Sequence, residues 1–160
     1  MTRLEDIRLV ALDVDGTLTD GGLIYGPYGV SQKFNSSDGS RIIQLRRIGF
    51  PVAFVSYRDF PATRRRACDL GVDLLCLGSS RKAEALERLC SHLGIECGEA
   101  LFMGDGLMDI PAMELAGVAA CPADARSEVR SRCDIITERR GGSGAVGEVI
   151  DMLLERIDHG

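Results

Sequence analysis

A chain of 160 residues, 45% apolar and 27% charged, has the balance of an ordinary globular protein and the length for one substantial core, not two. Its net charge of −5 gives no general basic field for nucleic acid, and no apolar run nears the roughly 18 residues of a membrane span. The opening MTRLEDIRL carries acids early and no apolar signal-peptide centre, so a cytoplasmic location is expected.

Strand 8–13, RLVALD, comes first and ends in Asp13, with Asp15, Gly16 and Thr17 just beyond. Side chains at i and i+2 of an extended strand face one way, so Asp13 and Asp15 can converge where the strand frays. Two carboxylates about 4 Å apart repel by about 4 kcal/mol at an effective dielectric near 20. A hard divalent cation with oxygen ligands, Mg²⁺ above all, is the natural counter-charge. Residues 21–34, GGLIYGPYGVSQKF, set β-type residues around a Gly-Pro-Tyr-Gly turn and predict a hairpin inserted after the first strand.

Helix 39–48 follows and closes at Gly49; strand 51–56, PVAFVS, then ends in Ser56, with Arg58 two residues on. Asp59 and Pro61 mark the start of helix 61–70, whose basic stretch from Thr63 to Gly71 reads as a solvated face. Strand 73–77 leads into GSSRKAEAL, which sets Lys82 at the start of helix 82–93. Strand 100–103, ALFM, runs into MGDGLMD, which delivers Asp105 to the same edge and Asp109 to the start of helix 108–116. Taken alone, Asp109 reads as a helix cap and Lys82 as a surface lysine. Strand 118–121, helix 125–131, strand 134–137 and helix 144–157 complete the order, and Gly71, Gly94 and Gly117 are expected to end helices in the left-handed conformation, as Gly49 does.

Near-continuous apolar strands alternating with helices predict an α/β fold: a doubly wound, Rossmann-like parallel sheet with helices on both faces and no separate cap domain. One domain is expected over 1–160, with the hairpin insertion at about 21–34 and a C-terminal tail and helix at about 138–160. The six cysteines, at 68, 76, 90, 97, 121 and 133, form no C-x-x-C pair and are expected as buried or half-buried reduced thiols.

In open α/β sheets, ligands bind at the carboxyl edge of the strands, and four strand ends here carry polar groups to that edge. In order, D-x-D-G-T, Ser56, Lys82 and G-D-x-x-x-D, this chain resembles the haloacid dehalogenase superfamily of phosphohydrolases over nearly its whole length. The resemblance implies that Asp13 is a nucleophile forming an aspartyl phosphate. It implies that Asp15 protonates the departing alkoxide and later deprotonates the attacking water. Mg²⁺ would be held by Asp13, Asp105 and the backbone carbonyl of Asp15, while Ser56 and Lys82 bind phosphoryl oxygens and Asp109 orients Lys82. Setting Asp13, Asp15 and Asp105 against Mg²⁺ and Lys82 gives a near-neutral site that admits a phosphate dianion.

The stretches LDVDGTLTDGGLIY, KFNSSDG and GGSGAVGEV resemble the capless 3-deoxy-D-manno-octulosonate 8-phosphate phosphatase family. This implies a phosphorylated sugar acid as substrate, a homotetramer assembled through the hairpin, and a C-terminal segment closing over a neighbouring site. It also makes Asp38, in the family's F-N-x-x-D-G motif, and Arg58 substrate-binding residues, the arginine facing the sugar acid's carboxylate or the phosphate. The chain departs from the family at Ser143 and Gly147, where arginines are usual, and at Gly106, where a second acid is usual; Arg139 and Arg140 lie just upstream of the tail. Related capless phosphatases act on nine-carbon sugar acid 9-phosphates, and related domains serve as catalytically idle assembly subunits; both readings stay open. A signalling receiver shares the acidic pocket but keeps its acceptor acid at the end of the third strand, where this chain reads CLGSS.

Overall fold

All six strands of the apolar series form, and all run parallel. In the computed structural model, which describes residues 3–160, the strands are β1 (Leu9–Leu12), β2 (Ile24–Gly26), β3 (Gly29–Ser31), β4 (Val52–Ser56), β5 (Leu74–Leu77), β6 (Ala100–Met103), β7 (Val118–Cys121) and β8 (Ile135–Ile136). β2 and β3 pair antiparallel as the inserted hairpin, and the others form one sheet in the order β5-β4-β1-β6-β7-β8. The helices are α1 (Ser36–Arg47), α2 (Pro61–Leu70), α3 (Lys82–Leu93), α4 (Ile110–Leu115), α5 (Ser127–Arg130) and α6 (Ala145–Asp158).

Strand alternation sorts the core into two layers. Val10, Leu12, Val52, Phe54, Leu101 and Met103 pack with Ile42 and Leu45 of α1, Leu70 of α2 and Val149, Ile150 and Leu153 of α6. Leu9, Ala11, Ala53, Val55 and Phe102 pack the other way, against Leu86 and Leu89 of α3, Met113 of α4 and Val129 of α5. Phe54 and Phe102 are fully buried, one on each side; burying such a side chain stabilises the fold by about 1.5–3 kcal/mol. Because both faces are covered, the strands read as unbroken apolar runs rather than alternating ones.

The strand order also fixes where a ligand can enter. From β1 the chain moves outward through β4 and β5, then returns to the opposite flank at β6. Loops leaving β1 and β6 therefore run apart, opening a crevice where the order reverses. In register, Leu12 lies beside Met103, so Asp13 and the Gly104–Asp105 pair leave the sheet side by side.

Several boundaries differ from the sequence reading. α1 begins three residues before 39, because Asn35 caps it by accepting the Asp38 backbone N–H at 3.0 Å; Gly39, a poor helix former, lies inside its first turns. The 108–116 helix is split into a 3₁₀ turn, Leu107–Asp109, and α4. Gly117 is not a left-handed cap: Ala116 is already extended, and the Gly117 N–H donates to the Ala100 carbonyl of β6 at 2.9 Å, so the sheet claims it. Gly49, Gly71 and Gly94 do adopt positive φ. Residues 125–131 reduce to one turn and 134–137 to two paired residues. All six cysteines are free, but Cys68 is exposed rather than covered. In the basic stretch, Arg64 and Arg65 pair with Asp59 and Asp69 at the surface.

Candidate active site

Asp13 is the first residue past β1, held in place by its N–H donating to the Met103 carbonyl at 2.9 Å. Its side chain is buried, and so are those of Lys82 and Asp109. Lys82 Nζ lies 2.7 Å from Asp13 Oδ1 and 2.6 Å from Asp109 Oδ1, so one ammonium bridges two carboxylates. Lys82 opens α3, and Asp109 ends the 3₁₀ turn that follows β6. Asp109 Oδ2 accepts the N–H groups of Asp105 and Gly106, both at 3.0 Å. Asp109 is therefore not a side-chain cap for α4, which receives no such bond; it braces the loop carrying Asp105 while it fixes Lys82.

One carboxylate oxygen from each of Asp13, Asp105 and Asp109 lies within 4.8 Å of the other two. Burial, with the negative charge of Asp109 next in weight, pushes the Asp13 carboxyl well above its ordinary range, although Lys82 pulls it down. Burial likewise raises Asp105. Burial opposes the Lys82 charge, but Asp13 and Asp109 more than compensate and its pKa rises. Three carboxylates thus share a single ammonium in a largely buried cluster. Hard oxygen donors under that strain fit a hard dication, and Asp13 and Asp105 are the residues able to hold it. With Asp109 included, four carboxylates would be set against one ammonium and one dication, leaving a single negative charge.

The loop after β1 is shaped by close backbone approach. Gly16 has φ of 86°, and a Cβ there would fall 2.0 Å from Asp105 Oδ2, so only glycine lets Asp105 reach the cluster. A Cβ on Gly141 would in turn collide with the Gly16 carbonyl, and the Gly142 N–H donates to Thr17 O at 3.1 Å. The tail segment assigned by resemblance to a neighbouring site thus packs, within this chain, on its own D-x-D-G-T loop.

A cavity of about 490 Å³ opens over the cluster, lined by Asp13, Asp15, Ser56, Arg58, Lys82, Asp105 and Asp109 among others. Seven of the eight sequence-derived site residues therefore meet at one crevice. Ser56 is buried at the end of β4, its Oγ accepting the Arg58 N–H at 3.2 Å. The Arg58 guanidinium lies over the Phe60 ring, 5.8 Å from its centre.

Asp38 is the exception. It is buried, and its Oδ1 accepts the Gly147 N–H at 2.8 Å, which ties α1 to the first turn of α6. Burial raises its pKa against the Gly147 and Gly144 N–H groups, which lower it. Arg41 and Asp151 join the same two helices at 2.6 Å. Asp38, expected at the substrate, is instead turned toward α6 and lies outside the cavity lining, where it clamps α1 to α6.

The cavity also contains residues that sequence reasoning passed over: Asp20, Tyr57, Leu107, Met108, Asp124 and Arg126. Asp124 had a readable signal, since it lies in the loop that leaves β7 at the same sheet edge. It accepts the Gly141 N–H at 2.9 Å and faces Arg140 at 3.6 Å.

Residues 75–150 match the model of a haloacid dehalogenase-like hydrolase family. The chain is 38% identical over 154 residues to the 3-deoxy-D-manno-octulosonate 8-phosphate phosphatase of Haemophilus influenzae, covering 96% of this chain and 86% of that protein. It superposes on a cobalt-bound phosphatase of that specificity from the same organism with a TM-score of 0.92 at 38% identity, over 96% of this chain and 90% of the other. It is similar as well to the Moraxella catarrhalis phosphatase solved with magnesium, phosphate and the sugar acid KDO, at TM-score 0.93 and 34% identity over 96% and 88% of the two chains.

Proposed function

Because the chain belongs to the 3-deoxy-D-manno-octulosonate 8-phosphate phosphatase family of haloacid dehalogenase-like hydrolases, we propose that it is a Mg²⁺-dependent phosphatase releasing phosphate from that eight-carbon sugar acid ester. The observation that carries this reading is the buried Asp13–Lys82–Asp109 bridge with Asp105 beside it, at the reversal of strand order.

An Asp13 carboxylate oxygen attacks phosphorus, the phosphorus–oxygen bond to the sugar breaks, and the departing alkoxide takes a proton from Asp15. Water then attacks the phosphorus of the aspartyl phosphate, Asp15 recovers a proton from it, and Asp13 is regenerated with inorganic phosphate. Splitting the path matters because phosphate monoesters hydrolyse extremely slowly unaided. Ser56 and Lys82 bind phosphoryl oxygens as charge grows on them. Asp109 keeps Lys82 from swinging away, and Arg58 meets the anionic substrate at the rim. Asp13, Asp105 and the Asp15 main-chain carbonyl would hold Mg²⁺, which would supply positive charge to the phosphoryl group.

Colorimetric detection of phosphate from the eight-carbon ester, with and without EDTA, tests the reading. Stripping the metal is expected to cost several kcal/mol of transition-state stabilisation, about a 10³-fold fall in rate. Asp105→Asn is expected to weaken Mg²⁺ binding at least about tenfold by calorimetry, since one hard anionic ligand becomes neutral. Unchanged binding would refute its assignment as a ligand.

A cytoplasmic homotetramer assembled through the hairpin is the state we propose for the enzyme. Ile24, Tyr25 and Tyr28 stand exposed on that hairpin, apolar surface that another copy could cover. Recovery from the membrane fraction would overturn the location, and sedimentation as a single chain the assembly.

A further inference from the structure

Asp15 does not stand alone at the cavity. Its Oδ1 accepts a hydrogen bond from Gln32 Nε2 at 2.9 Å, and Gln32 Oε1 accepts one from the Thr63 hydroxyl at 2.7 Å. Gln32 follows β3 at the base of the hairpin, and Thr63 lies in the first turn of α2, buried at 1% exposure. Three elements far apart in sequence thus meet in one chain of polar contacts.

The direction of that chain is dictated by chemistry. In its ionised state the Asp15 carboxylate only accepts, so the Gln32 amide turns its NH₂ toward it. Its carbonyl oxygen then faces Thr63, whose hydroxyl must donate. Reversing the amide would set two oxygens against each other at Asp15. The ionised Asp15 carboxylate thus sets the orientation of the amide, and the Thr63 hydroxyl, donating to its carbonyl oxygen, holds the far end in place. With an N–H on Oδ1, a proton carried by Asp15 belongs on Oδ2.

We infer that Thr63 and Gln32 are positioning residues that fix the Asp15 carboxyl and assign its proton to one oxygen. This rests on the reading of Asp15 as the proton carrier for the sugar ester. Neither residue lines the cavity; both act through Asp15.

The test compares two esters. A sugar alkoxide is a poor leaving group and needs a proton, whereas p-nitrophenolate leaves without one, so the two differ in their demand on Asp15. Since kcat/KM reports the first irreversible step, Thr63→Val is expected to lower kcat/KM for the eight-carbon sugar acid 8-phosphate by about tenfold or more, part of the roughly 10²–10⁴ that general acid catalysis supplies. On p-nitrophenyl phosphate the same variant stays within about twofold of wild type. Thr63→Ser, which keeps the donor, restores the sugar ester to within about threefold. Gln32→Leu, at a half-buried position, repeats the split independently of any packing loss at Thr63. Equal losses on both esters in both variants, or wild-type kcat/KM on the sugar ester, would overturn the relay. If Asp15→Asn itself left sugar ester turnover intact, the reading of Asp15 would fall first and the relay with it.

Discussion

An Asp13→Asn protein is expected to release phosphate about 10⁵-fold more slowly than wild type or worse, yet to melt at or above the wild-type temperature when divalent cations are removed. The activity loss follows from deleting the nucleophile of a covalent path, a class of change that costs about 10⁶-fold in other hydrolases. Stability moves the other way because the metal-free cluster holds more negative charge than Lys82 answers. Asp13 is buried, faces Asp109 and Asp105, and has its carboxyl pushed upward by burial and those neighbours. An amide of the same shape still offers an oxygen to Lys82 and removes the excess charge. Phosphate assays and thermal melts in EDTA check both halves. Wild-type turnover would refute the covalent route, and a melting temperature several degrees lower would refute the electrostatic account.

Lys82→Met is expected to abolish turnover and to lower the melting temperature by about 10 °C. Lys82 is the one cation within hydrogen-bond distance of Asp13 and Asp109 among the described residues. Replacing it with an apolar chain of similar length leaves two carboxylates buried against each other. Breaking a buried ion pair by removing one partner costs about 3–5 kcal/mol, and in a protein of this size each kcal/mol shifts the midpoint by roughly 2–4 °C. Substitutions at the two ends of one 2.7 Å contact thus push stability in opposite directions. Thermal melts of Lys82→Met and wild type under one buffer decide this; coincident curves would mean that Asp13 and Asp109 need no cation between them.

Much of this architecture is legible in the residues because a fully covered parallel sheet writes itself as apolar runs, and each run ends where its polar group emerges. Asp13, Ser56 and Asp105 were readable for that reason. Helices α2 and α3 were readable to the residue because Pro61 opens one and Gly71 and Gly94 close them with left-handed turns. The start of α1 was hidden, since a cap at Asn35 outweighs the cost of Gly39 inside the helix. Gly117 looked like the other terminal glycines until its N–H was found in the sheet. Asp38 shows a different limit: the sequence places it in a recognisable motif but says nothing of its direction, which depends on how α6 packs. The Asp15–Gln32–Thr63 chain was out of reach altogether, because Thr63 and Gln32 are 31 positions apart and no local pattern links hairpin to helix.

The groups at the bottom of the crevice are buried and interlocked, whereas Tyr57, Leu107 and Met108 around its mouth are exposed. That division separates reactivity from selectivity. Exchanging the outer three residues is expected to change which esters are accepted while leaving the phosphoryl chemistry beneath as it is.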